Sequence, residues 1–377
     1  MAHCNTVVSE IIKMFPRHEF ESLAKEHHKG QKFRTYNRWS QFMAMIISQL
    51  SSRKSLRDLV ENLKAQRHKL YHLGMRETSR ATLARTNENQ PHTLYEAMFY
   101  KLLPRCSSIS PKHKFNFKAK LYLLDATMID LCLSLFPWAS YRKAKGAIKL
   151  HFGLDANGYL PEFISLTDGK THEINWAKTL TLPRGSFVVF DRGFTDYSWY
   201  QTLTEAGIFF VTRLKTNALF LKLNKYPGIK NSSVTDDCKI YLAAIPNKLR
   251  LVTYTDPETG KEYRFITNAL HIPAKTVADL YKERWQIELF FKWIKQNLKI
   301  KTFLGTSKNA VLTQIWIALC VYLILAYIKF SAKLSMTMQQ ILRLLQLNLF
   351  ERRDMMSLLK PPGISTPYNQ LPLWANL

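Results

Sequence analysis

From about residue 116 the sequence changes from helical periodicity to strand-forming segments, and this change limits the folds open to the chain. Three strand-like segments come first, and an alternation of helix and strand follows. The strands are expected at residues 121–127, 147–155, 160–167, 187–191 and 208–214, with a helix at 197–206. This order predicts the α/β class: a mixed sheet covered by helices.

The flanking regions have different patterns. Residues 1–115 have helical periodicity and few β-branched runs, so we expect a helical N-terminal region. Residues 217–268 contain short alternating segments separated by turns, which predict a small antiparallel β unit inserted into an α/β domain spanning 116–335. Helical patterns resume near residue 274, and residues 336–377 are expected to form a helical tail.

A helix-turn-helix pattern is possible at residues 78–103. A short helix, a polar turn closed by Pro91 and an amphipathic helix have the proportions of that motif. Any two helices joined by a polar loop look alike, and on the pattern alone that simpler interpretation is favoured. The basic residues Arg76, Arg80 and Arg85 shift the balance towards DNA contact.

The charge of the chain indicates a polyanionic partner. The 377 residues include 54 Lys and Arg against 28 Asp and Glu, a formal net charge of +26. The excess is spread along the chain, which favours a long polyanion, most commonly nucleic acid. A basic ribosomal or membrane-surface protein would share the sign. The five cysteines form no CxxC pair, which argues against a zinc ribbon or a disulfide framework and fits a reducing cytosol.

One apolar run, residues 311–330, is long enough to span a membrane. Polar residues near its ends (Gln314 and Lys329) and the basic, Trp-rich helix pattern before it favour a buried helix of a folded domain. We therefore expect no membrane partner.

Two acidic residues end or interrupt apolar strands. Asp125 lies within LLDAT and Asp191 within VVFDRG. Burying an ionised carboxylate costs roughly several kcal/mol unless a partner charge or hydrogen bonds compensate for the lost hydration. At the carboxyl edge of a sheet such a group would instead face a cleft, where α/β folds bind ligands. A capping or turn aspartate is an equally good interpretation of either residue alone.

A third acid belongs to a polar stripe on a predicted helix at 278–299. On a helical wheel, one arc of about 60° holds four polar residues beside the apolar face. They are Tyr281, Arg284, Glu288 and Lys295. On spacing alone the favoured interpretation is a solvated helix with an i,i+4 ion pair.

Taken together, the three acids indicate phosphodiester chemistry. Two Mg²⁺ ions about 3.5–4 Å apart can activate an attacking oxygen and stabilise the leaving one. Mg²⁺ prefers oxygen ligands, so three carboxylates suit it. Arg284 and Lys295 beside Glu288 could then bind the flanking phosphates.

These motifs resemble those of DDE transposases of the insertion-sequence-four group. The stripe matches their Y-R-E-K signature, while Asp125 in LLDAT and Asp191 in FDRGF are similar to their first and second catalytic aspartates. Thr267-Asn268 matches another recurrent element. The order of acids, with a β insertion before the third, agrees as well. A departure is Phe194, where an aromatic residue with a hydroxyl often stands.

The resemblance implies a ribonuclease H-like core with Asp125, Asp191 and Glu288 as catalytic and metal-binding acids, and Mg²⁺, or Mn²⁺ in its place, as cofactor. It implies that Tyr281, Arg284 and Lys295 hold DNA near the transposon end, and that residues 1–115 recognise that end. An exposed Trp285 could stack on an unpaired base. His172 lies in the GKTHE segment, which matches a family-typical region, and is a further candidate for lining the site, although a surface loop is the simpler interpretation.

The expected partners are double-stranded DNA, as transposon ends and target, and a second copy of the chain, because two ends must be joined. The resemblance further implies a hairpin at the excised end and a bacterial cytoplasm, with the protein associated with the nucleoid. Two alternatives stay open: a nuclease of the same fold that does not transpose, and an inactive DNA-binding protein derived from a transposase.

Overall fold

A computed structural model describes residues 5–30, 36–142, 145–226, 233–242 and 245–360. The helices within these ranges are α1 (Val7–Lys13), α2 (Arg17–His27), α3 (Arg38–Leu50), α4 (Leu56–Ala65), α5 (Arg67–Leu70), α6 (Arg80–Asn89), α7 (Thr93–Ser108), α8 (Glu173–Ala177), α9 (Tyr197–Glu205), α10 (Ala274–Glu283), α11 (Trp285–Asn297), α12 (Lys308–Ser331), α13 (Met338–Asn348) and α14 (Met355–Leu359). The strands are β1 (Leu121–Leu131), β2 (Ser140–Arg142), β3 (Lys145–Asp155), β4 (Leu160–Asp168), β5 (Phe187–Val189), β6 (Phe209–Arg213), β7 (Phe220–Lys225), β8 (Val234–Leu242), β9 (Leu249–Thr255) and β10 (Glu262–Thr267).

The ten strands of the described ranges form one mixed sheet. Its order is β2-β3-β1-β5-β6-β10-β9-β8-β7, and β4 also pairs with β3. The pairs β1/β5 and β5/β6 are parallel, and the others are antiparallel. The predicted mixed α/β sheet is therefore present. Strand β7 was not predicted, and the inserted strands extend the central sheet because β10 pairs with β6.

Helices cover both faces of the sheet, as the alternation of side chains along β1 and β5 requires. Leu121 and Leu123 point into one apolar cluster with the N-terminal helices and α10–α14. Tyr122 and Leu124 point into a second cluster, which contains residues of α8 and α9. Both strands are thus buried on both sides up to the point where the acids begin.

Helix α12 forms the centre of the larger cluster. It has the length and hydropathy of a membrane span, but 94% of its most apolar window is buried by protein. This placement agrees with the prediction that residues 311–330 form a buried helix of a folded domain. Helices α3, α6, α7 and α13 pack against it. Its Asn309 donates hydrogen bonds to the carbonyl groups of Asn87 (3.0 Å) and Gln90 (2.5 Å), which fastens α12 to the α6–α7 turn.

The predicted division at residues 115 and 336 coincides with changes of secondary structure. Helix α7 ends at Ser108 and β1 begins at Leu121, while α13 begins at Met338. The three regions nevertheless share one apolar core. The amide of Val8 donates to the carbonyl of Leu349 at 2.8 Å, so the two ends of the described chain are joined. The division into domains stays a prediction, and residues 361–377 of the tail lie outside the described ranges.

Candidate active site

The pairing of β1 with β5 brings the two aspartates together. Leu123 is in register with Val189 in this parallel pair; Asp125 lies two residues farther along β1, and Asp191 lies two residues beyond the end of β5. Neighbouring strands lie about 4.8 Å apart, so Asp125 and Asp191 leave the sheet side by side. Strand β5 ends at Val189, whereas β1 continues to Leu131. Both acids therefore line a notch at the carboxyl end of β5, where α/β sheets bind ligands.

The backbone after β5 holds the Asp191 side chain in place. Asp191 caps a short 3₁₀ turn, and its Oδ1 accepts a hydrogen bond of 2.8 Å from the amide of Gly193. The following Phe194 is fully buried against Phe190. The phenylalanine at this position therefore packs into the second apolar cluster.

The third acid reaches the notch from the helices after the insertion. The expected single helix at 278–299 is interrupted at Arg284, which ends α10 and precedes α11. At that point the amide of Arg284 bonds to the carbonyl of Tyr281, three residues back. The apolar face is buried as predicted: Leu280, Ile287, Phe290, Phe291, Ile294 and Leu298.

Arg284 joins two of the predicted catalytic acids. Its Nη1 donates to Asp125 at 2.8 Å, and its Nη2 donates to Glu288 at 2.6 Å. The guanidinium is largely buried, with 13% of its side chain exposed. A planar fork suits two carboxylates at once, and its charge offsets their repulsion. The i,i+4 ion pair of Arg284 and Glu288 that the sequence predicted is present. It faces the sheet, however, where Arg284 also pairs with Asp125.

The other residues of the stripe surround this ion pair. Lys295 Nζ donates to Thr127 Oγ1 on β1 at 2.5 Å. The Tyr281 ring packs 4.8 Å from that of Phe265, and burial raises the pKa of its hydroxyl. Trp285 has 57% of its surface exposed. The structure thus brings Tyr281, Arg284, Glu288 and Lys295 to the edge where Asp125 and Asp191 lie.

Burial dominates the electrostatics of Asp125. It raises the pKa of this carboxyl to about 7, against the opposing effect of Arg284, and the negative charges of Asp191 and Glu173 contribute to the rise. Burial also lowers the pKa of Lys295. The notch therefore favours neutral side chains, and an added cation would favour the ionised carboxylate.

The raised pKa makes Asp125 a cost to stability at neutral pH. The folded-state pKa of Asp125 lies above the ordinary value of 3.8, so protonation of this carboxyl stabilises the folded state. That stabilisation is full below about pH 4 and is lost as pH rises towards 7. Asp125→Asn should therefore raise the free energy of unfolding by about 1–3 kcal/mol at pH 8 in EDTA. Denaturant titrations at pH 8 and pH 4.5 measure the difference.

Asp130→Asn is the matched control, because Asp130 lies on the same strand but is exposed. Its free energy of unfolding should stay within about 0.5 kcal/mol of the wild type at both pH values. A gain for Asp125→Asn that persists unchanged at pH 4.5 would contradict this account of the buried carboxyl.

Sequence reasoning missed Glu173 as a site residue. The GKTHE segment drew attention to His172, which precedes α8 and accepts no capping bond with its side chain. Its neighbour Glu173 is the residue that approaches Asp191: a Cβ on Gly193 would lie 2.8 Å from Glu173 Oε2 and 2.9 Å from Asp191 Oδ1. The signal that could have found Glu173 is its place in GKTHE, a segment that matches a region typical of the family that the sequence resembles.

The basic residues of the N-terminal region lie elsewhere. Helices α6 and α7 exist where the helix-turn-helix pattern was expected, joined by residues 90–92. Arg80 and Arg85 on α6 are exposed, as is Arg76 before it. Helix α7, the second helix of the pattern, packs against α12 and buries Tyr95 and Phe99 completely. Within this motif, α6 is therefore the more accessible helix.

The oxygen atoms available in the site determine which metal ions it could bind. Within the described residues, no three Asp, Glu, His or Cys side chains form a ready-made metal-binding group. Arg284 stands between Asp125 and Glu288, which explains why these two carboxylates do not converge directly. Near Asp191, the missing side chain of Gly193 leaves a gap between two carboxylates that a Cβ would fill. Oxygen donors of this kind suit hard divalent cations.

Comparisons with known proteins identify the family. Residues 116–324 match the family model of the transposase DDE domain, and residues 3–76 match a domain of unknown function. A protein of Sinorhizobium fredii named as a transposase is 33% identical over 301 residues, which cover 76% of this chain and 82% of that protein. A protein of Geobacillus stearothermophilus, named as the transposase of an insertion sequence element, is 28% identical over 254 residues, 66% of this chain and 67% of that one.

Among solved structures, a piggyBac transposase in a synaptic complex with hairpin DNA gives a TM-score of 0.48 at 12% identity, covering 94% of this chain and 80% of that one. The family match spans more than half of the chain. The family model and the two relatives define a DNA-processing enzyme. The chain belongs to the DDE transposase family, whose members use divalent metal ions to cleave DNA and transfer its strands.

Proposed function

We propose that this transposase acts on the ends of an insertion sequence of the insertion-sequence-four group, with Asp125, Asp191 and Glu288 as its catalytic acids. The observation that carries the proposal is the in-register parallel pairing of β1 and β5, which sets the two aspartates side by side, with Glu288 tied to Asp125 through Arg284. A ribonuclease H-like core is supported by the order β4-β3-β1-β5-β6, in which three antiparallel strands adjoin two parallel ones.

These acids would hold Mg²⁺, with Mn²⁺ able to replace it. When bound, the ions would make water or a 3′-hydroxyl nucleophilic and stabilise the leaving oxygen. Arg284 holds Asp125 and Glu288 together, and Lys295 is anchored to Thr127 beside them. Together with Tyr281, these two cations would hold the DNA near the transposon end. The exposed indole of Trp285, next to Arg284, offers a surface on which a displaced base could stack.

The N-terminal helices would bind the transposon end. Arg80 and Arg85 are exposed on α6 and Arg76 is exposed before it, and the chain carries a net charge of +26. Contacts of this kind neutralise phosphates and release counterions, so binding should weaken steeply with salt. Two ends must be joined, so we propose that two copies of the chain assemble on DNA, in the bacterial cytoplasm and with the nucleoid.

A joining assay tests the proposed reaction. The substrate is a DNA duplex that carries the inverted repeats flanking the gene, and the full-length protein is supplied with Mg²⁺ or Mn²⁺. We expect cleavage at the repeat ends and, with a pre-cleaved 3′-hydroxyl end, covalent joining to target DNA. EDTA should stop both, and a denaturing gel would reveal any hairpin.

A scrambled repeat of the same length is the control. Cleavage without joining would favour the alternative of a nuclease. Repeat-specific binding with no cleavage in either metal would favour an inactive DNA-binding derivative, and both outcomes would overturn the proposal.

A further inference from the structure

Glu173 lies beside Asp191 but is neither one of the three predicted catalytic acids nor part of the Tyr281, Arg284, Glu288 and Lys295 stripe. It is the first residue of α8, which follows β4 and packs against the turn at Gly193. Its Oε2 and Asp191 Oδ1 both lie within 3 Å of the position that a Cβ on Gly193 would occupy. Its charge also contributes to raising the pKa of Asp125. Glu173 therefore belongs to the same notch as the two aspartates.

The orientation of Glu173 is set by Lys149. Lys149 Nζ lies 3.3 Å from Glu173 Oε1 and also donates to the carbonyl of Thr171 at 3.1 Å. Both side chains are largely buried, with 13% of Lys149 and 26% of Glu173 exposed. Lys149 thus pairs with one carboxylate oxygen of Glu173, and the other, Oε2, faces the space beside Gly193 that Asp191 Oδ1 also faces.

Gly193 keeps the space between the two carboxylates open. Its backbone does not adopt a positive φ, so no backbone strain requires a glycine here. The requirement is spatial, because any side chain would begin between Glu173 and Asp191. The amide of Gly193 donates to Asp191 Oδ1 on one side of this gap, and a cation in the gap would offset the repulsion between the two carboxylates.

We propose that Glu173 is a fourth carboxylate of the active site, which binds a divalent metal ion together with Asp191 through its Oε2. This inference rests on the proposed function, since Asp191 must itself bind metal. Lys149 positions Glu173, and Gly193 admits the ion. Metal affinity then depends on an acid that the three-acid motif does not include.

The test compares Glu173→Gln with Glu162→Gln. Glu162 is a matched control, because it is 29% exposed and lies 3.3 Å from its own lysine, Lys120. Free Mn²⁺ is measured by electron paramagnetic resonance during titration of the full-length protein. Glu173→Gln should weaken Mn²⁺ binding about tenfold, whereas Glu162→Gln should leave it unchanged. End cleavage by Glu173→Gln should recover in part at high Mn²⁺.

Asp191→Asn separates the two hypotheses. If Asp191→Asn weakens Mn²⁺ binding and Glu173→Gln does not, the inference about Glu173 is wrong and the proposed function stands. If neither variant changes Mn²⁺ binding, the metal site itself is misplaced. Should Glu173→Gln fail to fold, Glu173→Asp keeps the charge while withdrawing the oxygen, and wild-type Mn²⁺ affinity in that folded variant would overturn the inference.

Discussion

Asp191→Asn should lower the rate of end cleavage by about three orders of magnitude or more, while the protein binds the inverted repeat within about threefold of the wild type. Asn keeps an acceptor for the Gly193 amide, so the 3₁₀ turn should persist, but it removes the charge that a divalent ion needs. Gel shift in EDTA measures binding, and a denaturing gel with Mg²⁺ measures cleavage.

The same result is expected for Asp125→Asn and Glu288→Gln. Glu288→Gln is especially informative, because the amide oxygen can still accept from Arg284 and only the charge is lost. Asp130→Asn is the control, five residues beyond Asp125 on the same strand and exposed. Equal losses of binding and cleavage in the acid variants would show that these residues support the fold and not the reaction.

The sheet around the site was predictable because its strands carry short-range signals. The apolar run of β1 contains Asp125 and that of β5 is followed by Asp191, and burial on both faces demands such apolar runs. The face of α11 was predictable for a similar reason: helical periodicity fixes which side chains share a side. The family of the chain, read from these motifs, is confirmed by the match of residues 116–324. That the three acids perform the reaction stays a prediction.

The features that could not be predicted from the sequence depend on contacts between distant segments. The bond from Arg284 to Asp125 joins residues 159 positions apart, so the sequence suggested only its local pair with Glu288. Glu173 approaches Asp191 because α8 packs against the turn at Gly193. The burial of α7 likewise comes from α12, more than 200 residues later. Periodicity describes one element at a time and contains no information on such pairings.

The inserted strands also matter to the site, because a buried ion pair fastens them to the segment before α10. Arg250 on β9 donates to both oxygens of Asp237 on β8, at 2.8 and 2.7 Å. Its Nη1 donates to the carbonyl of Ile272 at 2.5 Å, and the Tyr226 ring lies 4.4 Å from the guanidinium. Helix α10 begins two residues after Ile272, so this pair fixes where the helices carrying Arg284 and Glu288 start.

Asp237→Ala should therefore lower the free energy of unfolding by about 3–5 kcal/mol, because it leaves the Arg250 charge buried without its partner. Only 5% of Arg250 and 7% of Asp237 side-chain surface is exposed, so water cannot replace the carboxylate. Urea denaturation monitored by tryptophan fluorescence measures the loss. The neighbouring Asp236→Ala is the control: its partner Lys222 is 54% exposed, and we expect less than about 1 kcal/mol. Equal effects of the two variants would mean that the buried pair does not hold the insertion to α10.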